Sequence, residues 1–177
     1  LEENAMKTRT ARCCCGDLTI TVSGEPNFVH TCHCDYCQRR TGSVFQVSAL
    51  FGADQVVSRA GEFNVYEASP NSAETFASAG VDADPLVVKY RFCKRCGSTV
   101  YWEMNFPAGV YGPDPAIVTG VGVGCFFDPD FPMPVEDTFV RDRHHWVPGF
   151  EGMESCEGMP RAMSLVTGEP LGPESAN

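Results

Sequence analysis

The sequence predicts an all-β protein, one domain of mostly antiparallel β-sheets with short helical turns. Three observations carry that prediction. Glycine and proline are frequent, at 17 and 13 of 177 residues, which favours many turns and short strands over long helices. Several short segments alternate apolar and polar side chains or gather β-branched and aromatic residues. Ten cysteines fall largely into tight clusters, and spacings such as Cys13-x-Cys15 and Cys32-x-Cys34 suit chelation better than disulfide pairing. The fold therefore reads as zinc-stapled.

Residues 17–23 place Leu18, Ile20 and Val22 on one face and Thr19 and Thr21 on the other, a half-buried strand. Residues 35–40 predict one helical turn before Gly42, and 44–51 a second strand. A weaker strand at 63–66 follows Gly61, and 68–85 reads as a loop or insertion rich in Ser, Ala, Asp and Pro. Strands at 86–92 and 99–104 flank a cysteine-rich turn and form a hairpin. Residues 105–115 form a loop, 117–123 a strand loosened by Gly120 and Gly122, and 138–140 an edge strand. The domain is expected over 7–147, with a poorly structured tail over 148–177. Residues 1–6 look like an appended leader ahead of a native Met6.

Hydrophobic residues make up 43% of the chain, a globular composition. A net charge of -10 repels phosphate backbones and anionic bilayers, so neither nucleic acid nor membrane is an expected partner. No apolar run is long enough to span a bilayer and no secretory signal is visible, so a cytoplasmic location is expected. Oligomeric state is not legible.

Three clusters carry the chemistry: Cys13-x-Cys15-Gly16, Cys32-His33-Cys34-x-x-Cys37, and Cys93-x-x-Cys96-Gly97-Ser98. A C-x-x-C turn brings two thiolates to one ion, and a following glycine permits the tight backbone. Cys93 and Cys96 joined to Cys13 and Cys15 give a closed Cys₄ structural site that staples the N-terminal strand to the central hairpin. The competing reading of Cys93 and Cys96 as a redox pair lacks a surrounding βαβ pattern. Cys32, Cys34 and Cys37 offer three thiolates and one open position, the arrangement of a catalytic zinc. Closure by Cys125, His144 or His145 is the alternative. His33 is open to three roles: fourth ligand, general acid/base, or neighbour. Cys14 and Cys125 read as packing and Cys156 as a bystander.

These motifs, with F-C-x-x-C-G-S at Phe92 to Ser98 and C-H-C-x-x-C-Q-R-R-T-G-S from Cys32 to Ser43, resemble the glutathione-dependent formaldehyde-activating enzymes and the related centromere protein V domain. The resemblance runs from about Arg12 to Trp146. It implies a structural zinc on Cys13, Cys15, Cys93 and Cys96, and a labile zinc on Cys32, Cys34 and Cys37. It implies a carbon–sulfur lyase that joins formaldehyde and glutathione into S-(hydroxymethyl)glutathione or runs the reverse. Small-molecule thiol and aldehyde are then the partners. Within that reading His33 is a candidate proton carrier. Arg39 and Arg40 are candidates for the glutathione carboxylates, and Gly42 and Ser43 for a turn beside the site. The chain departs from the family after Gly124, where Cys125-Phe126-Phe127-Asp128-Pro129 stands and Asp137 falls near an expected histidine. Those departures bear on the substrate. Two other classes compete: a non-catalytic zinc-stabilised module that binds a thiol, peptide or protein, and a redox or metal-handling protein.

Overall fold

The structure is a computed structural model and describes residues 7–68, 87–106 and 116–158. Residues 1–6, nearly all of the segment 68–85 read as an insertion, most of the 105–115 segment read as a loop and the last part of the segment read as a tail lie outside them.

Two sheets make the fold. The smaller is antiparallel, in the order β1 (Thr8–Arg12), β2 (Thr19–Ser23), β5 (Val56–Ala60). The larger has eight strands. Its centre is β3 (Phe28–Cys32), β4 (Gln46–Gly52), β9 (Ala116–Gly122) and β8 (Thr99–Phe106), side by side and antiparallel. Beyond β8 come β7 (Val88–Cys93) and the edge strand β6 (Phe63–Glu67). Beyond β3 come β10 (Glu136–Thr138) and β11 (Glu154–Cys156), both in parallel pairing. One α-helix is present among the described residues, α1 (Asp35–Thr41), between β3 and β4. No helix among those residues is long and apolar enough to cross a membrane.

The pleat sends neighbouring side chains to opposite faces and so builds two cores. On one face Ala11, Ile20 and Val22 of the small sheet meet Val29, Ala49, Phe51 and Val121 of the large one. On the other, Phe28, Leu50, Tyr90, Trp102 and Val118 pack together, and Tyr36 of α1 covers them.

The observed strands refine the sequence expectations at several places. β1, β3 and β5 lack a clear apolar–polar alternation, since Thr and Arg dominate the first, Phe28 and Val29 stand side by side in the second, and Val56 and Val57 in the third. The strand expected at 138–140 lies at Glu136–Thr138 instead, and Val140–Asp142 is a 3₁₀ turn. Nor is it an edge. The segment read as tail supplies β11, which covers it, and Glu136, Asp137 and Thr138 are all buried.

Gly120 does not loosen β9; it makes room. It sits opposite Trp102, and a Cβ there would lie 2.1 Å from the indole Cε2. Only glycine lets the Trp102 ring lie flat across the neighbouring strand. Gly120→Ala should therefore destabilise the protein by about 1–3 kcal/mol, the usual cost of overpacking. Thermal melting checks this: an unchanged midpoint would mean that the indole has another place to go.

Candidate functional site

The first cluster joins the two sheets. Cys13 and Cys15 lie in the β1–β2 turn, Cys93 ends β7, and Cys96 follows it in the β7–β8 turn. Both turns fold back on themselves: Gly16 N–H donates to Cys13 C=O and Gly97 N–H to Cys93 C=O, each at 2.9 Å. Gly97, at φ 74°, adopts the left-handed backbone that closes its turn. The four sulfurs all lie within 4.8 Å of one another, with Cys13–Cys15 at 3.5 Å and Cys15–Cys93 at 3.6 Å. A tetrahedral ion with about 2.3 Å bonds to sulfur separates its ligands by about 3.8 Å. The four sulfurs thus have the spacing of a zinc tetrahedron, and Cys93 and Cys96 belong to a set of four instead of standing as an isolated redox pair. The Ser98 hydroxyl and backbone N–H and the Cys15 N–H bond to the Cys96 sulfur and bring its pKa down to about 5.

The second cluster lies where β3 gives way to α1. Cys32 is the last residue of β3, and Cys34 is the N-cap of α1, its sulfur accepting from the Cys37 N–H at 3.4 Å. Cys37 sits on the first turn, so the helix start folds its sulfur back over the other two. All three lie within 4.8 Å of one another, Cys32–Cys34 at 3.4 Å. Hydrogen bonds from the Cys32 and Cys37 thiols, with the Cys37 and Tyr36 backbone N–H groups, pull Cys34 down to about 3. Cys32, which donates to Cys34, is pushed up to about 12, and Cys37 also rises. No fourth Cys, His, Asp or Glu joins the trio among the described residues. His144, one alternative, bonds instead to the Gln38 side chain at 2.9 Å.

His33 points away from the sulfurs on either side of it. Its ring is fully buried, and Nε2 lies 2.7 Å from Asp137 Oδ1. Adjacent side chains diverge on an extended backbone, so Cys32 and Cys34 face the trio and His33 faces β10. The ring has neither a place among the ligands nor an exposed edge.

The two arginines separate cleanly. Arg39 is 83% exposed and pairs with Asp35 one turn earlier, an ordinary surface contact. Arg40 lies across the faces of Tyr90 and Trp102, 4.4 and 5.0 Å from the ring centres. Its Nε is buried without a hydrogen-bond partner, and no carboxylate among the described residues lies within ion-pair distance of it. Arg40 follows Cys37 by three positions, on the same side of the helix.

A cleft of about 460 Å³ opens at this end of α1, lined by Arg40, Ser43, Phe45, Ser98 and Cys125 among others. Among the described residues, Arg40 is the only charged one lining it. Gly42 does not line it; at φ 70° it caps α1, donating to Gln38 C=O, and so turns the chain towards Ser43. A larger cleft of about 680 Å³ opens on the four-cysteine side, around Arg12, Cys14 and Phe127. Both clefts share Ser98, Gly124 and Cys125, and none of Cys32, Cys34 and Cys37 lines either; what marks the smaller one is Arg40, from the helix that carries Cys37.

Of the remaining cysteines, Cys125 packs as expected, whereas Cys14 and Cys156 depart from their expected roles. Cys14 is exposed, and Cys156 is buried in β11 with its thiol 3.6 Å from Glu136 Oε2. Cys125 is half-buried against the core, where burial pushes its thiol up to about 11. Sequence reasoning passed over His30, which shares a face of β3 with Cys32. Burial drives it down to about 4, against the opposing pull of Cys34, and its Nδ1 has no hydrogen-bond partner. Its i, i+2 spacing from Cys32 was the available signal. Tyr90 and Trp102 were also missed, because only the β7–β8 register sets them side by side.

No curated protein matches the chain. The family model of the glutathione-dependent formaldehyde-activating enzyme matches residues 8–142, a span that holds all seven clustered cysteines and Arg40, and the chain belongs to that family.

Proposed function

We propose that the protein is a carbon–sulfur lyase that makes or breaks a thiol–aldehyde adduct, with S-(hydroxymethyl)glutathione from glutathione and formaldehyde as the reaction the family indicates. The observation that carries this reading is the three-sulfur cluster with no fourth protein donor among the described residues. Its all-sulfur donor set and 3.4 Å spacing suit zinc. A zinc ion held by Cys32, Cys34 and Cys37 supplies, when bound, the Lewis acidity that keeps a thiol ionised or polarises a carbonyl.

The reaction itself is a simple addition. The thiol sulfur bonds to the carbonyl carbon, the C=O π pair moves to oxygen, and the thiol proton ends there. Nothing is oxidised or reduced, and the reverse direction releases aldehyde and thiol. The chain's part is to hold the thiol in place. Arg40 is suited to a carboxylate of a glutathione-like thiol: a planar guanidinium, fixed on two aromatic faces, loses little freedom on binding and can pair bidentately. Ser43, in the same cleft, offers a hydroxyl to the same ligand. Gly42 serves by setting the turn.

Two predictions follow from this division of labour. Arg40→Ala should lower kcat/KM for glutathione about 10–100-fold, the usual worth of a hydrogen-bonded charge, and Arg39→Ala should leave it near wild type. Exchange of ¹³C-labelled formaldehyde with its glutathione adduct, followed by NMR, measures both; equal effects would remove Arg40 from the site. Cys34→Ser should keep a cooperative melt close to wild type, whereas Cys96→Ser should unfold the protein or make it insoluble. Equal loss of melting temperature in the two variants would contradict a structural and a reactive cluster.

A further inference from the structure

A polar cluster lies buried behind the trio, on the opposite side of the same backbone. Asp137 of β10 is 1% exposed, yet three groups converge on its carboxylate. The His33 Nε2–H donates to Oδ1 at 2.7 Å, the Thr31 hydroxyl donates to the same oxygen, and Arg143 Nη1 donates to Oδ2 at 3.2 Å. The backbone around His33 is held as well. Its N–H donates to Thr138 C=O at 3.0 Å, and its C=O accepts from the Gln38 side chain at 2.6 Å. The Thr138 hydroxyl donates to Thr31 C=O at 2.6 Å.

The alternation of the strand explains the consequence. Thr31 and His33 face β10, whereas Cys32 and Cys34 face the trio. Any rotation of the His33 backbone therefore swings two of the three sulfurs. A buried carboxylate is costly to desolvate, and apolar residues of similar size commonly serve stability as well or better. Joining β10 to β3 does not by itself call for a charge there.

We propose that Asp137 is a positioning residue: by holding Thr31 and His33 it fixes the backbone between Cys32 and Cys34, and so sets how tightly the trio retains its metal ion. This rests on the trio being the metal site proposed above. His33 on this account is the link between carboxylate and loop.

The test uses the zinc-loaded full-length chain and a chromogenic chelator, following zinc release over time alongside thermal melting. Wild type should release one ion quickly and one slowly. Asp137→Asn should speed the quick release about tenfold or more, the usual scale for groups that orient metal ligands, with the slow release and the melting midpoint little changed. Release at the wild-type rate would overturn the proposal. So would loss of both ions together with early melting, the mark of a purely structural residue. Should that variant not fold, Arg143→Gln removes the partner at Oδ2 from a side chain that is 28% exposed. It should give the same selective acceleration, and an unchanged rate would overturn the proposal equally. A wild type that releases no ion preferentially would instead sink the reading of the trio as a labile site, and the inference with it.

Discussion

Sulfur atoms from the two sheets meet at one point, and the stacking of those sheets depends on it. The β1–β2 turn and the β7–β8 turn bring four cysteines within 4.8 Å of one another. Thiolates crowded so closely repel each other unless protons or a cation lie between them, so a cation held here would cross-link residues 78 positions apart in sequence. The small sheet has only three strands, and its β5 strand is largely exposed, so its own apolar face is modest. Fixing the two turns against each other places Ala11, Ile20 and Val22 over Val29, Ala49 and Phe51 and closes the main core.

The other face of the same large sheet supports α1 and the side on which the proposed function places the chemistry. Gly120 leaves a slot, Trp102 fills it, Tyr90 pairs across the strand from Trp102, and Arg40 lies on both rings. That sequence of contacts runs from the core to a single charge at the end of α1. The helix is short, and it is held at each end by a specific residue: Cys34 as N-cap and Gly42 as the left-handed C-cap. One seven-residue helix thus sets the Cys34 sulfur at its start and the Arg40 guanidinium in its last turn, the two groups to which the proposed function gives the metal and the substrate carboxylate. The fixed distance between them would favour a thiol that also bears a carboxylate.

The cysteine clusters were legible in the sequence because ligand geometry is local: C-x-C and C-x-x-C spacings bring sulfurs together whatever the rest of the chain does. The strands with apolar alternation, such as β2, were legible for a similar reason. What stayed hidden depends on pairing between distant segments. β10 reads Glu-Asp-Thr, which has no strand pattern, and it is buried because β3 and β11 flank it in parallel. Asp137 could be noticed only as a residue standing near an expected histidine; its place beside His33 comes from the register. Arg39 and Arg40 are neighbours of the same type, and only the helical rotation between them sends one to solvent and the other onto Tyr90.

The proposed function requires two metal centres of different kind, one closed by four protein sulfurs and one left open by three. Elemental analysis of zinc per chain, on protein purified without chelator and again after mild chelation, tests this most directly. The account predicts about two ions falling to one, as a Cys₄ site beside a Cys₃ site requires. A count that does not change on chelation would mean that every bound zinc is closed and structural, and would turn the reading from an enzyme to a zinc-stabilised binding module.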